Sequence, residues 1–186
     1  MRRIAIATVI LIIVAAIVFG WLSHRASRYD FIISQAAARN GLDFYLVKAL
    51  IYEESWFRPE IRGPAGELGL MQITRAAATD FAADKGFPEF HDRQLVEPEL
   101  NVEIGCWYLK HSLDRYSTAP QPIMFALLRY NAGESRSDGW LRIALSAPPP
   151  SGTSPESYYL SLVDFPKTRA YVQRILDRSR THNFLY

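Results

Sequence analysis

The chain has 186 residues, of which 49% are apolar, 13% aromatic and 22% charged. This length predicts one compact domain with an appendage, and the apolar content is sufficient for a hydrophobic core. The formal net charge of +2, without a dense stripe of lysine and arginine, argues against a nucleic-acid partner. The single cysteine, Cys106, rules out an intrachain disulfide. Because the four histidines are scattered along the chain, we predict no metal site.

The N-terminus carries a membrane signal. Ile4 to Leu22 contain no charged side chain, and Arg2 and Arg3 precede them. As a helix this segment spans about 28 Å, close to the roughly 30 Å of a bilayer core. It is either a cleaved signal peptide or an uncleaved anchor, and its length and the lack of an Ala-x-Ala site favour the anchor. The arginines predict a single-pass inner-membrane protein whose remaining chain faces the periplasm; signal cleavage would release it there instead.

The rest of the chain has helical periodicity and weak strand signals. We predict an all-α domain over residues 30–186, joined to the anchor at 1–22 by a short linker at 23–29. Asp30 is the predicted N-cap of the first helix and Gly41 its stop. The second helix is predicted to start at Asp43, and the third to begin after Thr74 and stop near Gly86. The predicted helices cover 30–40, 43–55, 75–86, 98–116, 122–131, 140–145 and 167–179.

One carboxyl group lies on an apolar helix face. In the helix predicted at 43–55, Phe44, Val47, Leu50, Ile51 and Glu54 share one face. A carboxylate there is costly unless it is paired or protonated, and a helix C-terminus disfavours negative charge. Both effects raise the pKa of that carboxyl, as a general acid near neutral pH requires. The side chain is either such an acid or a buried structural glutamate paired with an arginine; its neighbour, Glu53, is predicted to point towards solvent.

Two further motifs combine turn residues with polar groups. Gly-Leu-Met-Gln at 69–72 follows a glycine- and proline-rich loop, and Gln72 can both donate to and accept from a sugar. Tyr-Asn-Ala-Gly at 130–133 ends a predicted helix. Each motif also has a purely structural interpretation. Leu70 and Met71 would then belong to the core of a tight turn, and Gly133 would be a helix stop.

Together these motifs resemble a known family. Glu54-Ser55, the motifs at 69–72 and 130–133, Asn101 with Gly105, and Thr-Arg-Ala-Tyr-Val at 168–172 are similar, in this order, to the motifs of soluble-type lytic transglycosylases. The resemblance covers about residues 30–180 and implies a goose-lysozyme-like helical domain. It implies cleavage of the β-1,4 bond between N-acetylmuramic acid and N-acetylglucosamine in peptidoglycan. The muramyl C6 hydroxyl then attacks C1 and leaves a 1,6-anhydro end, without metal or organic cofactor.

The resemblance also assigns roles to individual residues. Glu54 is the single catalytic acid and then base, and Tyr171 donates a hydrogen bond near it. The expected substrate-binding residues are Ser55, which orients the glutamate or the glycan, Met71 and Gln72 beside the scissile bond, and Tyr130 and Asn131 in the cleft around an N-acetyl group. Asn101 and Gly105 are expected to be structural.

Three positions depart from the family pattern. Gly63 stands where serine is usual, Glu67 where a small residue is common, and Lys167 where an acid often precedes Thr-Arg. Glu67 is either a solvated loop charge or a second carboxylate near the cleft, which would favour hydrolysis. The alternatives to a transglycosylase are thus a lysozyme-like hydrolase, a non-catalytic wall-binding module, and a muramidase dedicated to a secretion or pilus apparatus. The sequence indicates no particular protein partner.

Overall fold

The fold is entirely helical in the described part of the chain. A computed structural model describes residues 2–184, with side chains from Ile6 onward. Its only β-type pairs are isolated bridges in the loop around residues 62–73. The helices are α1 (Arg2–Ser27), α2 (Asp30–Asn40), α3 (Phe44–Ser55), α4 (Arg75–Lys85), α5 (Asp92–Leu95), α6 (Pro98–Arg115), α7 (Pro122–Ala132), α8 (Glu134–Ser146), α9 (Pro155–Ser161) and α10 (Pro166–Thr181).

Most predicted helix ends are confirmed by the capping contacts. The Asp43 carboxylate accepts a hydrogen bond from the Leu46 amide at 2.8 Å, and the Thr74 hydroxyl accepts one from the Ala77 amide at 3.1 Å. Both predicted glycine stops have left-handed backbone. Asp30 is not an N-cap, because α2 begins at this residue. Its carboxylate instead pairs with Lys48 of α3 at 2.6 Å.

Three helices differ from the prediction or were missed. The helix predicted at 140–145 in fact begins at Glu134. Its first two turns were not predicted because they are polar and lack an apolar repeat. The short helices α5 and α9 were not predicted. They have four and seven residues, too few for a recognisable periodicity.

The N-terminal helix is longer than the apolar segment and continues into the domain. α1 extends through Ser27, so most of the predicted linker at 23–29 is helical. Ala26 and Tyr29 are buried in the domain core. Large apolar side chains from Ile6 to Phe19 are exposed. Among the described residues, one helix near the N-terminus is long and apolar enough to cross a membrane.

The core centres on α3, which positions the candidate site. Val47, Leu50 and Ile51 are fully buried, as the apolar face predicted. α10 and α2 pack against α3, while α6 packs against α2 and α7. The C-terminal end of α3 therefore lies against the first half of α10, and the loop that follows α3 folds back beside it.

Candidate active site

Glu54 is the penultimate residue of α3 and forms the centre of the site. The Tyr171 hydroxyl of α10 donates a hydrogen bond to Glu54 Oε1. Tyr171 is buried, whereas Glu54 is partly exposed. The carboxyl group is thus oriented by the protein at a residue that is not fully buried.

The environment keeps this carboxyl group protonated to an unusually high pH. Burial raises the pKa of Glu54 to about 7, from a model-compound value of 4.5. The hydrogen bond from Tyr171 acts in the opposite direction, and the nearby charges of Glu53 and Glu67 raise the pKa further. A carboxyl group that titrates near neutrality can both donate and accept a proton under physiological conditions.

The adjacent carboxylate has a different environment. Glu53 was predicted to point to solvent, but its side chain is only 13% exposed and forms an ion pair with Arg174 Nη2 at 2.5 Å. Arg174 Nε donates to the same oxygen at 2.7 Å. The structural interpretation, a buried glutamate paired with an arginine, therefore describes Glu53. Within residues 2–184, Glu54 forms no such pair.

The Gly-Leu-Met-Gln loop is tied to two helices by the backbone of Met71. Its amide donates to Asn101 Oδ1 at 2.7 Å, and its carbonyl accepts from the Tyr130 hydroxyl at 2.8 Å. The Met71 side chain is fully buried against Gly105, where an added Cβ would lie 2.3 Å from the Met71 sulfur. The side chain does not line the cleft as predicted, because it fills the core beneath the loop.

Asn101 and Gly105 have the structural roles that were expected. Asn101 Nδ2 donates to the carbonyls of Leu68 and Leu95 at 2.8 and 2.6 Å. An added Cβ at Gly69, where φ is +78°, would lie 2.3 Å from Asn101 Nδ2. Asn101 and Gly69 together therefore set the distance between the loop and α6.

Gln72 and Tyr130 line one small cavity. The cavity has a volume of about 50 Å³. Gln72 Nε2 donates to the carbonyls of Ile61 and Gly69, at 3.2 and 2.9 Å. The amide nitrogen of Gln72 is therefore used by the loop.

Asn131 is held by the last helix. Thr168 Oγ1 donates to Asn131 Oδ1 at 2.8 Å. Thr168 is buried and Asn131 is exposed, so the amide group of the asparagine is fixed at the surface. The segment at 168–172 thus contributes two contacts to the site, through Thr168 and Tyr171. The departure at Lys167 leaves both contacts in place.

Two of the departures from the family pattern are coupled. Glu67 Oε2 accepts a hydrogen bond from the Ala65 amide at 3.0 Å. An added Cβ at Gly63 would lie 2.4 Å from the same oxygen. The glycine therefore makes room for the Glu67 carboxylate, which is partly buried and raises the pKa of Glu54.

Ser55 is not among the groups that reach the cleft. Its side chain is 2% exposed, and its hydroxyl donates to the Ile51 carbonyl at 3.1 Å. Its burial at the end of α3 does not support a direct contact with the glycan, and its other expected role, orienting the glutamate, stays a prediction. The pairing of Arg174 with Glu53 and the contact of Thr168 with Asn131 were not predicted, because such long-range pairs leave no local pattern in the sequence.

Comparison with known proteins gives the family of this chain. The family described as the transglycosylase SLT domain matches residues 31–148. The chain belongs to the transglycosylase SLT domain family. The soluble lytic murein transglycosylase of Salmonella typhimurium is 31% identical over 129 residues, 69% of this chain and 19% of that protein. The membrane-bound lytic murein transglycosylase F of Desulfosudis oleivorans is 33% identical over 112 residues, 59% of this chain and 23% of that protein.

Solved structures in this family share the fold. The 70-kDa soluble lytic transglycosylase of Escherichia coli matches with a TM-score of 0.70 and 26% identity, over 81% of this chain and 23% of that chain. A complex of a 70-kDa soluble lytic transglycosylase with bulgecin A matches with a TM-score of 0.72 and 25% identity, over 87% of this chain and 25% of that chain. This chain thus corresponds to about a quarter or less of the length of these relatives, and its fold is the lysozyme-like helical domain expected from the sequence.

Proposed function

We propose that this chain is a peptidoglycan lytic transglycosylase with Glu54 as its single catalytic acid and base. It cleaves the β-1,4 bond between N-acetylmuramic acid and N-acetylglucosamine and leaves 1,6-anhydromuramyl ends. The observation that carries the proposal is the state of Glu54: partly exposed, hydrogen-bonded by Tyr171, without an ion pair in the described residues, and with a pKa raised to about 7 by burial.

One such carboxyl group is sufficient for the reaction. In the first step the Glu54 proton moves to the glycosidic oxygen, and the bond from that oxygen to muramyl C1 breaks. In the second step the Glu54 carboxylate takes the proton of the muramyl C6 hydroxyl while that oxygen bonds to C1. The acid is regenerated, and no water is consumed. Because the nucleophile is part of the substrate, its effective concentration is high and no second carboxylate is needed.

The polar groups of the Gly-Leu-Met-Gln loop and of the end of α7 suit an N-acetylated glycan. The Gln72 oxygen accepts a hydrogen bond from an amide N–H or a sugar hydroxyl, and Asn131 presents its amide from the surface. The Tyr130 ring lines the same cavity as Gln72. Met71 contributes by fixing the loop through its backbone. Ser55 contributes as the last residue of α3, where its hydroxyl bonds to the helix backbone.

We further propose that α1 is an uncleaved inner-membrane anchor with the domain in the periplasm. An 18-residue window of the N-terminal helix has a mean hydropathy of 2.7, and none of it is buried by protein. Several relatives of this chain are named membrane-bound. The continuation of α1 into the core favours an anchor that stays attached, since cleavage near residue 22 would remove Trp21 from its contact with Trp56.

A hydrolase on the same fold is the second candidate, and Glu67 is the observation that favours it. A second carboxylate close enough to influence Glu54 would activate a water in place of the C6 hydroxyl. The products would then carry reducing ends. In that case Glu67→Gln would abolish the reducing ends, whereas in a transglycosylase it leaves the anhydro product unchanged.

Release of glycan from purified sacculi tests the catalytic assignment. We expect Glu54→Gln in the full chain to lose at least about 100-fold in rate, the typical contribution of a positioned acid. Glu53→Gln is the matched control, because it removes the neighbouring carboxylate from the same helix turn, and we expect it to stay within about tenfold of the parent. Equal release by the Glu54 variant and the parent would disprove the proposal.

A further inference from the structure

A second polar site lies where α1 meets the loop after α3. A cavity of about 180 Å³, here called the juxtamembrane cavity, opens between these two segments. The residues that line it include Trp21, His24, Arg25, Arg28, Arg58 and Glu60.

The lining of this cavity is cationic. Three arginines face one carboxylate, that of Glu60, which leaves two positive charges without a lining counter-ion. Within residues 2–184, none of these three arginines forms an ion pair with a carboxylate, although many other arginines of the domain do. Unpaired guanidinium groups that converge on one cavity indicate an anionic ligand.

Two of the guanidinium groups are held in place by backbone carbonyls. Arg25 Nε donates to the Trp56 carbonyl at 2.9 Å, and Arg58 Nε donates to the Ser55 carbonyl at 3.2 Å. The Arg25 guanidinium also lies 4.2 Å from the centre of the Trp56 ring and 5.0 Å from that of Trp21. Both side chains are thus oriented through Nε, which leaves their terminal nitrogens for a ligand. Such a planar pair of donors suits phosphate oxygens.

The position of the cavity along α1 identifies the source of the phosphate. The uncharged segment ends at Leu22, and Arg25 lies three residues further, about 4.5 Å along the helix axis. That is the depth of the headgroup layer next to the hydrocarbon core. Trp21, which is exposed, is a residue type enriched at this interface.

We infer that the juxtamembrane cavity binds the phosphate of an anionic phospholipid from the bilayer that holds α1. This inference rests on the proposed membrane anchor and is independent of the proposed reaction. Trp56, whose ring and carbonyl contact Arg25, follows Glu54 by two residues. A lipid bound here therefore fixes the end of α3, and with it the catalytic groove, at a set distance from the membrane surface.

Native mass spectrometry of the full chain in detergent tests the inference. The protein is titrated with phosphatidylglycerol or with phosphatidylcholine of the same acyl chains. We expect one phosphatidylglycerol to be retained at least about tenfold more strongly than phosphatidylcholine, because the net anionic headgroup neutralises the arginines. Equal retention of the two lipids would overturn the inference. Stronger retention of a polyprenyl diphosphate than of phosphatidylglycerol would overturn the assignment to a phospholipid.

Variants locate the lipid. The double variant Arg28→Gln, Arg58→Gln should lose the preference for phosphatidylglycerol. Arg28→Gln alone should reduce this preference. Arg28 is exposed, and within residues 2–184 its side chain does not hold a backbone carbonyl. Arg136→Gln, Arg142→Gln removes the same charge on α8 and should leave the preference unchanged. An unchanged preference in the first double variant would contradict the site.

The lipid site and the reaction are tested separately. Glu54→Gln should keep the preference for phosphatidylglycerol while losing glycan cleavage. Cleavage of soluble glycan fragments by Arg28→Gln should match that of the parent. A failure of lipid binding therefore leaves the proposed reaction intact, and a failure of the reaction leaves the lipid site intact.

Discussion

Burial and a tyrosine hydroxyl shift the pKa of the Glu54 carboxyl group in opposite directions. Burial raises the pKa to about 7, and the hydrogen bond from Tyr171 lowers it. The apolar stripe of α3 made the rise predictable from the sequence. The identity of the donor could be inferred only through the family resemblance, because 117 residues separate the two side chains.

Tyr171→Phe should change both the rate and its pH dependence. The acid form of Glu54 is required first, so kcat/KM of the parent should fall as pH rises through about 7. Without the hydroxyl the pKa rises further, so this fall should move to higher pH, and the maximal rate should drop about 10- to 100-fold because the carboxyl group is no longer oriented. Tyr158→Phe on α9 is the control and should change neither. A fall that moved to lower pH would contradict this account.

Glu54→Gln should stabilise the folded protein at alkaline pH. The pKa in the folded state, about 7, lies above the model value of 4.5. Stability is therefore lost as pH rises through this interval, when the buried carboxyl group must ionise. The uncharged glutamine avoids this loss and should gain roughly 1–3 kcal/mol at about pH 8, with little difference at about pH 5. Thermal unfolding of both proteins at the two pH values measures this difference in stability. A gain in stability at the lower pH alone would refute the raised pKa.

At the scale of helices, the contact between α6 and the Gly-Leu-Met-Gln loop sets the shape of the cleft. An added Cβ at Gly105 would lie 2.3 Å from the sulfur and 2.8 Å from two carbons of Met71. Met71 is fully buried and held at both backbone groups. It therefore cannot move without displacing the loop or Tyr130.

Gly105→Ala should consequently lower both stability and activity. Overpacking of this kind costs about 1–3 kcal/mol, which denaturant unfolding would detect. Gly139→Ala on α8 is the matched control, because its nearest atom would be 3.9 Å away, and it should be neutral or slightly stabilising. Full activity and stability in Gly105→Ala would show that the contact does not support the cleft.

Helices were predictable where the sequence carried caps and a continuous apolar face. Asp43 and Thr74 mark their helix starts by side-chain bonds that depend on local sequence alone. α8 was predicted too short, since Ser137 is its only fully buried residue before Trp140. The ion pair of Glu53 with Arg174 joins residues 121 positions apart, and only the packing of α10 on α3 brings them together.

For the whole molecule, the sequence predicted an anchor and a domain but not how they are joined. The apolar segment was visible from its length and composition. Its connection to the domain depends on Ala26, Tyr29 and the stacking of Arg25 on Trp56, none of which forms a periodic pattern. α1 thus contacts the domain directly, through Ala26 in the core and Arg25 on Trp56.

The central claim is that one carboxyl group serves a nucleophile supplied by the glycan. The most direct measurement is mass spectrometry of the muropeptides that the full chain releases from purified sacculi. We predict 1,6-anhydromuramyl ends, each one water lighter than a reducing end, and no such products from Glu54→Gln. Reducing ends from the parent protein, or anhydro ends from the glutamine variant, would contradict the account.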